Sequence, residues 1–190
     1  MLRYTGWFMD FIMPSFCYTE AMEAIIGDYA ACIANISKGL AAAGIDRSEL
    51  AMMDHLCYRV ETQARYDELL IAFRAHGTLL GIAEVSGRNI ATFELHEYLQ
   101  SDGWTVPYLE LPAPKDGSPY KEGLEHAELV VIGGLDRFAQ KHAELTFDTK
   151  GLSKDVNPEL GLKTDIMSVK FHEQPLGAVV RIERRLGRTR

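Results

Sequence analysis

Two stretches of this chain open alike and stay alike for much of their length. Asp54-His55 is echoed 71 residues later by Glu125-His126, and a valine follows each histidine five positions on, Val60 and Val131. Residues 54–60 alternate as a strand does. Thr62 can cap a helix that carries Tyr66, Leu69, Leu70 and Phe73 at helical spacing. Strand-like runs follow at 78–86, 89–95 and 104–111, separated by the turn pairs Ser86-Gly87 and Asp102-Gly103. After the rigid polar stretch 112–119 the order starts again. There is a strand at 125–132, a Gly133-Gly134 turn, and a helix with Leu135, Phe138, Ala139 and His142 on one face. A strand-like run at 145–149 and a loop holding Asn157-Pro158 lead to strands at 166–172 and 178–184, with Gln174-Pro175 between them. A repeat of this size restricts the fold more than any short motif. The expected class is α+β: two βαβββ modules, 54–112 and 125–185, joined by a connector at 113–124. Their sheets pair into a half-open, cup-like barrel with helices on the convex side.

Residues 1–53 read as a helical segment packed on this body. Tyr29, Cys32, Ile33, Ile36, Leu40 and Ala43 recur at helical spacing between an Asp28 cap and a Gly44 stop, and a short helix begins near Asp46 or Ser48. The opening, residues 1–13, reads as an apolar arm without a cleavage pattern, and residues 186–190 as a solvated basic tail. With 190 residues and 47% hydrophobic content the chain can fill a core, so disorder is disfavoured. A net charge of −7 speaks against nucleic acid, and no apolar run approaches the ~18 residues of a membrane span. Three cysteines, Cys17, Cys32 and Cys57, without C-x-x-C spacing, fit a reducing, cytoplasmic setting. The expected partners are a small-molecule substrate or ligand, in a monomer or homodimer.

The repeat superimposes four residues with metal-ligating chemistry. His55 and Glu110 open and close the first module, and His126 and Glu183 open and close the second, at separations of 55 and 57 residues. Strand alternation puts His55, Cys57 and Arg59 on one face against Leu56, Tyr58 and Val60 on the other. His126, Glu128 and Val130 likewise share a face. The apolar sets belong against the helices, so both histidines face the cup. Two imidazoles and two carboxylates suit a divalent first-row ion such as zinc, nickel, manganese or iron, and leave positions for substrate oxygens. Glu110 or Glu183 doubles as base. Arg59, Tyr108, Lys170 and Arg181 are the expected substrate contacts, which suits an anion. The bland alternative is that each histidine is an ordinary hydrogen-bonded residue; the agreement of two modules weighs against it. His76 and His142 read as structural, and His96 and His172 as rim residues. P-loop, Rossmann, nucleophile-elbow and HExxH patterns are absent from the sequence.

The segments Asp54-His55, Gly87-Arg88-Asn89, Tyr108-Leu-Glu-Leu-Pro-Ala-Pro114, Glu125-His126-Ala-Glu128 and Val179-Val-Arg-Ile-Glu183 resemble the vicinal oxygen chelate superfamily, and within it the YecM family. The resemblance runs over residues 18 to 185. It implies paired βαβββ modules and a metal centre of His55, Glu110, His126 and Glu183, with chemistry of the isomerase or lyase kind on a substrate that chelates through adjacent oxygens. A non-catalytic protein that sequesters a ligand in the same cup, and a structural module recruiting a partner through its N-terminal helices, are the alternatives.

Overall fold

The structure is a computed structural model that describes residues 15–189. The apolar arm and Arg190 lie outside the described residues. Two helices come first, α1 (Ser15–Ile26) and α2 (Tyr29–Ala42). The Asp28 carboxylate accepts from the Ala31 backbone N–H at 2.7 Å and starts α2, which buries Tyr29, Cys32, Ile33, Ile36 and Leu40 as the spacing predicts. A short 3-10 turn at 47–49, closed by an Asp46–Glu49 capping box, delivers the chain into the sheet.

The first module is then strand β1 (Leu50–Arg59), helix α3 (Gln63–Ala72) and strands β2 (Gly77–Val85), β3 (Arg88–Ser101) and β4 (Trp104–Pro112). This is the expected βαβββ order, with Thr62 capping α3. β1 runs parallel to β4, which pairs antiparallel with β3, and β3 with β2.

The second half departs from expectation. Strand β5 (Gly123–Val131) and helix α4 (Leu135–Lys141) come as predicted, but the run at 145–149 contributes only an isolated bridge, Asp148 to Gly161. The unpredicted strand β6 (Glu159–Lys163) then pairs with β7 (Ser168–His172), and β7 lies parallel to β5. Residues 178–184 are not a strand. They lie in helix α5 (Leu176–Arg185), which starts at Pro175, buries Leu176, Val179 and Val180 at i, i+3 and i+4, and stops before Gly187 at φ +70°. The β-branched run Val179-Val180-Ile182 suggests a strand; the amphipathic period and the flanking Pro and Gly decide otherwise. The last strand of the repeat is therefore β7. The tail is not free either: Thr189 is buried and bridges Ala83, and Arg188 pairs with Asp155 at 2.7 Å.

All seven strands form one mixed sheet in the order β2-β3-β4-β1-β5-β7-β6, and its ends do not join. One face carries the apolar core. Leu56, Tyr58, Val60, Leu109, Leu111, Ala127, Leu129 and Val131 belong to it, so the predicted faces hold on β1, β4 and β5, but not at 178–184, which is helical. Phe73 meets Phe93 and Tyr58 edge-on there, and Phe171 packs on Phe138 at 4.6 Å between centroids. Residues of both edge strands line one cavity of about 600 Å³ on the opposite face, which shows that the sheet curls. Helix α5 lies over the rim of that cavity. Its Gly177 permits this approach, because a Cβ there would stand 2.4 Å from the Tyr108 hydroxyl.

Candidate metal centre

β1 and β5 meet antiparallel at the middle of the sheet with three irregularities of register, one at Ala51 near the start of β1 and two beside the histidines. Between Met53 and His55 the register gains a residue on β1, and that residue is Asp54. Between His126 and Leu124 it gains one on β5, and that residue is Glu125. A bulge turns two consecutive side chains to one face. Each acid therefore sits beside the histidine that follows it. Asp54 Oδ2 lies 3.0 Å from His55 Nδ1, and Glu125 Oε2 lies 2.9 Å from His126 Nδ1. The acid-histidine echo in the sequence is thus a pair of matching devices: a carboxylate holds Nδ1 and leaves Nε2 to point inward. Ligand histidines in metal sites are held this way.

Both free nitrogens approach one carboxylate. Glu128 Oε1 is 3.5 Å from His55 Nε2 and 3.4 Å from His126 Nε2, and Glu110 Oε2 is 3.6 Å from His55 Nε2. His55 Nε2 is buried without a hydrogen-bond partner. Donor atoms of His55, Glu110 and Glu128 all lie within 4.8 Å of one another, the spacing of ligands around one ion. A second group, Asp54, His55 and His172, adjoins it; His172 Nε2 is also buried without a hydrogen bond, 3.5 Å from Asp54. Asp54 itself is anchored by the backbone N–H of Leu176 at the start of α5, 3.0 Å from Oδ2. Lys170 donates to Glu128 Oε1 at 2.8 Å and lies 3.3 Å from Glu159.

Electrostatically this is a site charged on both signs. Burial opposes a proton on His55, but Glu128, Glu110 and Asp54 outweigh it and hold the imidazole well above its usual range. His126 behaves alike, with burial opposed by Cys57, Glu125 and Glu128. Glu128 lies well below the carboxylate range, burial being overcome by His55 and Lys170. Glu125 falls to about 2, since His126 and Arg59 outweigh its burial. An ion entering between these groups must displace the histidine protons. Zinc affinity is therefore expected to weaken as pH falls, by about tenfold per unit for each proton displaced. Competition with a chromophoric chelator at about pH 6, 7 and 8 measures this slope, and a flat profile contradicts ligation by the two imidazoles.

Of the residues expected from sequence, His55 and Glu110 share one ligand group with Glu128, whereas His126 reaches Glu128 at 3.4 Å but has its own ligand group with Cys57 and Glu125. Glu183 does not join their ligand atoms. It sits on α5, borders the same cavity, and accepts from the Thr189 hydroxyl at 3.0 Å. The repeat shows what replaces it. His55 faces Tyr108 on β4 as His126 faces Ser168 on β7, so the counterpart of Glu110 is Lys170, and the counterpart of Cys57 is Glu128. The sequence pattern places Glu128 on the face of His126, but the letter match of Glu110 with Glu183 points to a closing strand ten residues beyond β7. His172, expected at the rim, is instead buried at the end of β7 beside Asp54. Among expected substrate contacts, Lys170 borders the cavity. Tyr108 packs against Gly177. Arg181 lies exposed on α5, and Arg59 is spent on Glu125 and the Tyr120 ring, 4.5 Å away. His142 bonds Glu49 at 2.9 Å, a structural role, and His96 is exposed.

The sequence profile of the YecM protein family matches residues 21–157, well over half of the chain. The chain belongs to the YecM protein family. The matched span holds His55, Glu110, His126 and Glu128 and ends before Lys170, His172 and α5. Protein YecM of Escherichia coli is 28% identical over 146 residues, covering 68% of this chain and 77% of the relative. An uncharacterised protein of Haemophilus influenzae is 31% identical over 112 residues, covering 59% of this chain and 58% of its own. A solved structure described as structural-genomics protein EC4020 superposes with a TM-score of 0.74 at 25% identity, over 92% of this chain and 99% of that one. This YecM-family chain thus shares a whole fold with it. Among the described residues no helix is long and apolar enough to cross a membrane. Cys32 and Cys57 are free and buried.

Proposed function

We propose that this chain holds a divalent ion between His55, His126, Glu110 and Glu128 and acts on a small substrate that chelates that ion through two oxygens, as in the vicinal oxygen chelate superfamily. The observation that carries the reading is the pair of acid-histidine bulges, related by the repeat, whose two Nε2 atoms approach the same carboxylate. The donor types fit the ion: His55, Glu110 and Glu128 offer atoms at ligand spacing, His126 Nε2 reaches the same Glu128 oxygen at 3.4 Å, and the His55 Nε2 is buried and otherwise unbonded. The ion, when bound, supplies Lewis-acid polarisation of a substrate oxygen. Glu110 is the candidate base. It borders the cavity and meets only one of the two histidines, so an Oε atom can turn to take a substrate proton while Glu128 stays engaged by His126 and Lys170. Lys170 sets the charge of the cavity floor and draws an anionic substrate toward it. The reaction class this supports is isomerase or lyase chemistry in a cytoplasmic protein.

A second reading has its own observation. Lys170 already gives Glu128 and Glu159 a cation, which suits a cup that binds a ligand without metal chemistry. Metal content separates the two. Protein purified without added metal or affinity-tag nickel is expected to carry nearly one ion per chain by mass spectrometry, and His55→Ala and His126→Ala to lose it. Wild-type protein that takes up no zinc, nickel, manganese or iron(II) on dialysis leaves only the binding reading.

A further inference from the structure

We propose that Cys57 is a sulfur ligand of the same ion, so that the centre selects a thiophilic metal, zinc or cobalt(II) rather than manganese or magnesium. This rests on the metal reading and adds a donor to it.

The local twofold makes the case. Cys57 stands on β1 two residues after His55, as Glu128 stands on β5 two residues after His126. Across the central pairing, His55 faces Glu128 and Cys57 faces His126. Cys57 therefore holds, relative to His126, the position that Glu128 holds relative to His55. On its other side Cys57 faces Glu110 on β4. One row of the sheet thus reads Glu110, Cys57, His126, and the sulfur lies between two residues of the proposed donor set.

Side-chain geometry agrees. The Cys57 sulfur lies within 4.8 Å of a His126 ring nitrogen and a Glu125 carboxylate oxygen, a group distinct from that of His55, Glu110 and Glu128 but joined to it by His126, whose Nε2 is 3.4 Å from Glu128. Cys57 is 1% exposed, yet it is absent from the apolar core that takes its neighbours Leu56 and Tyr58. Its side is the site side. By contrast, Cys32 packs in the helical layer with its sulfur 3.6 Å from that of Met167. A buried cysteine on a polar face, opposite a histidine whose Nδ1 is already held, has the surroundings of a ligand rather than of filler. When the ion binds, the sulfhydryl proton leaves to solvent as the metal–sulfur bond forms. Thiolate donors favour zinc and cobalt(II) over oxygen-loving ions.

The test is the absorption spectrum of the full chain, stripped of metal and reloaded with cobalt(II). The expected result is a sulfur-to-cobalt charge-transfer band in the near ultraviolet beside the visible ligand-field bands. Cys57→Ser should keep the ligand-field bands and lose the charge-transfer band. Its zinc affinity should fall by at least the roughly 10–100-fold that losing an outer-sphere partner costs, with manganese affinity little changed. A variant with both Cys17→Ser and Cys32→Ser should keep the band. That settles the assignment even if Cys57→Ser fails to fold, because Cys57 is then the only thiol left. Ligand-field bands without a charge-transfer band overturn the sulfur ligand and leave the metal centre standing. Failure to bind cobalt or zinc at all overturns both.

Discussion

Glu128→Ala protein is expected to retain at most about a tenth of the wild-type metal content, while Glu183→Ala retains all of it. The contrast follows from where the two carboxylates sit. Glu128 Oε1 is within 3.5 Å of both site histidines and is buried at the sheet centre. The Glu183 carboxylate, on α5, is occupied by the Thr189 hydroxyl. Removing Glu128 also leaves His55, His126 and Lys170 as neighbouring cations in the metal-free protein, so the variant should be less stable as well as empty. Both proteins, purified alongside wild type and measured by mass spectrometry, decide the matter. Loss of metal from Glu183→Ala with retention in Glu128→Ala would reverse the assignment and require α5 to supply the ligand.

The second large effect is expected at Lys170. Its ammonium lies between Glu128 and Glu159, which with Glu110 keep it charged against the cost of burial. Lys170→Met leaves those carboxylates without their cation. Breaking a fully buried pair costs roughly 3–5 kcal/mol. The Lys170 side chain is 32% exposed, so solvent screening reduces the expected loss to about 2 kcal/mol. A bound divalent ion supplies the missing charge. Urea unfolding in chelator should therefore show the loss, and unfolding with saturating zinc should largely remove it. Zinc should also bind the variant more tightly than wild type, since Glu128 is no longer shared. An equal loss with and without zinc would mean that Lys170 and the ion do not answer the same charge.

Much of this arrangement was legible in the sequence. Alternation assigned Leu56, Tyr58 and Val60 to the core and His55 and Cys57 to the opposite face, because a strand half covered by helices leaves little freedom. The repeat of Asp54-His55 at Glu125-His126 marked the two equivalent positions. What alternation cannot express is a bulge. On strict alternation Asp54 and Glu125 point away from their histidines, whereas an extra residue in each strand turns them inward. The fourth residue of the expected donor set differs for another reason. Tyr108-Leu-Glu110 aligns in letters with Arg181-Ile-Glu183, but in space with Ser168-Val-Lys170. The amphipathic period between Pro175 and Gly187 makes the β-branched run a helix, and the carboxylate that meets both histidines is Glu128 on β5.

The central pairing of β1 with β5 also has a bearing on how the protein matures. His55 and Glu128 are 73 residues apart in the chain yet face each other directly, so neither repeat owns a complete set of donors. Contacts of that separation form late, after loop closure has been overcome. A nascent chain released only through β4 would offer Asp54, His55 and Glu110 but nothing from the second half. On the proposed metal reading, capture of an ion would report that synthesis and docking of both halves are finished, and an ion bound only at the finished seam would act as a clasp on it, slowing the opening of the very strands that created it.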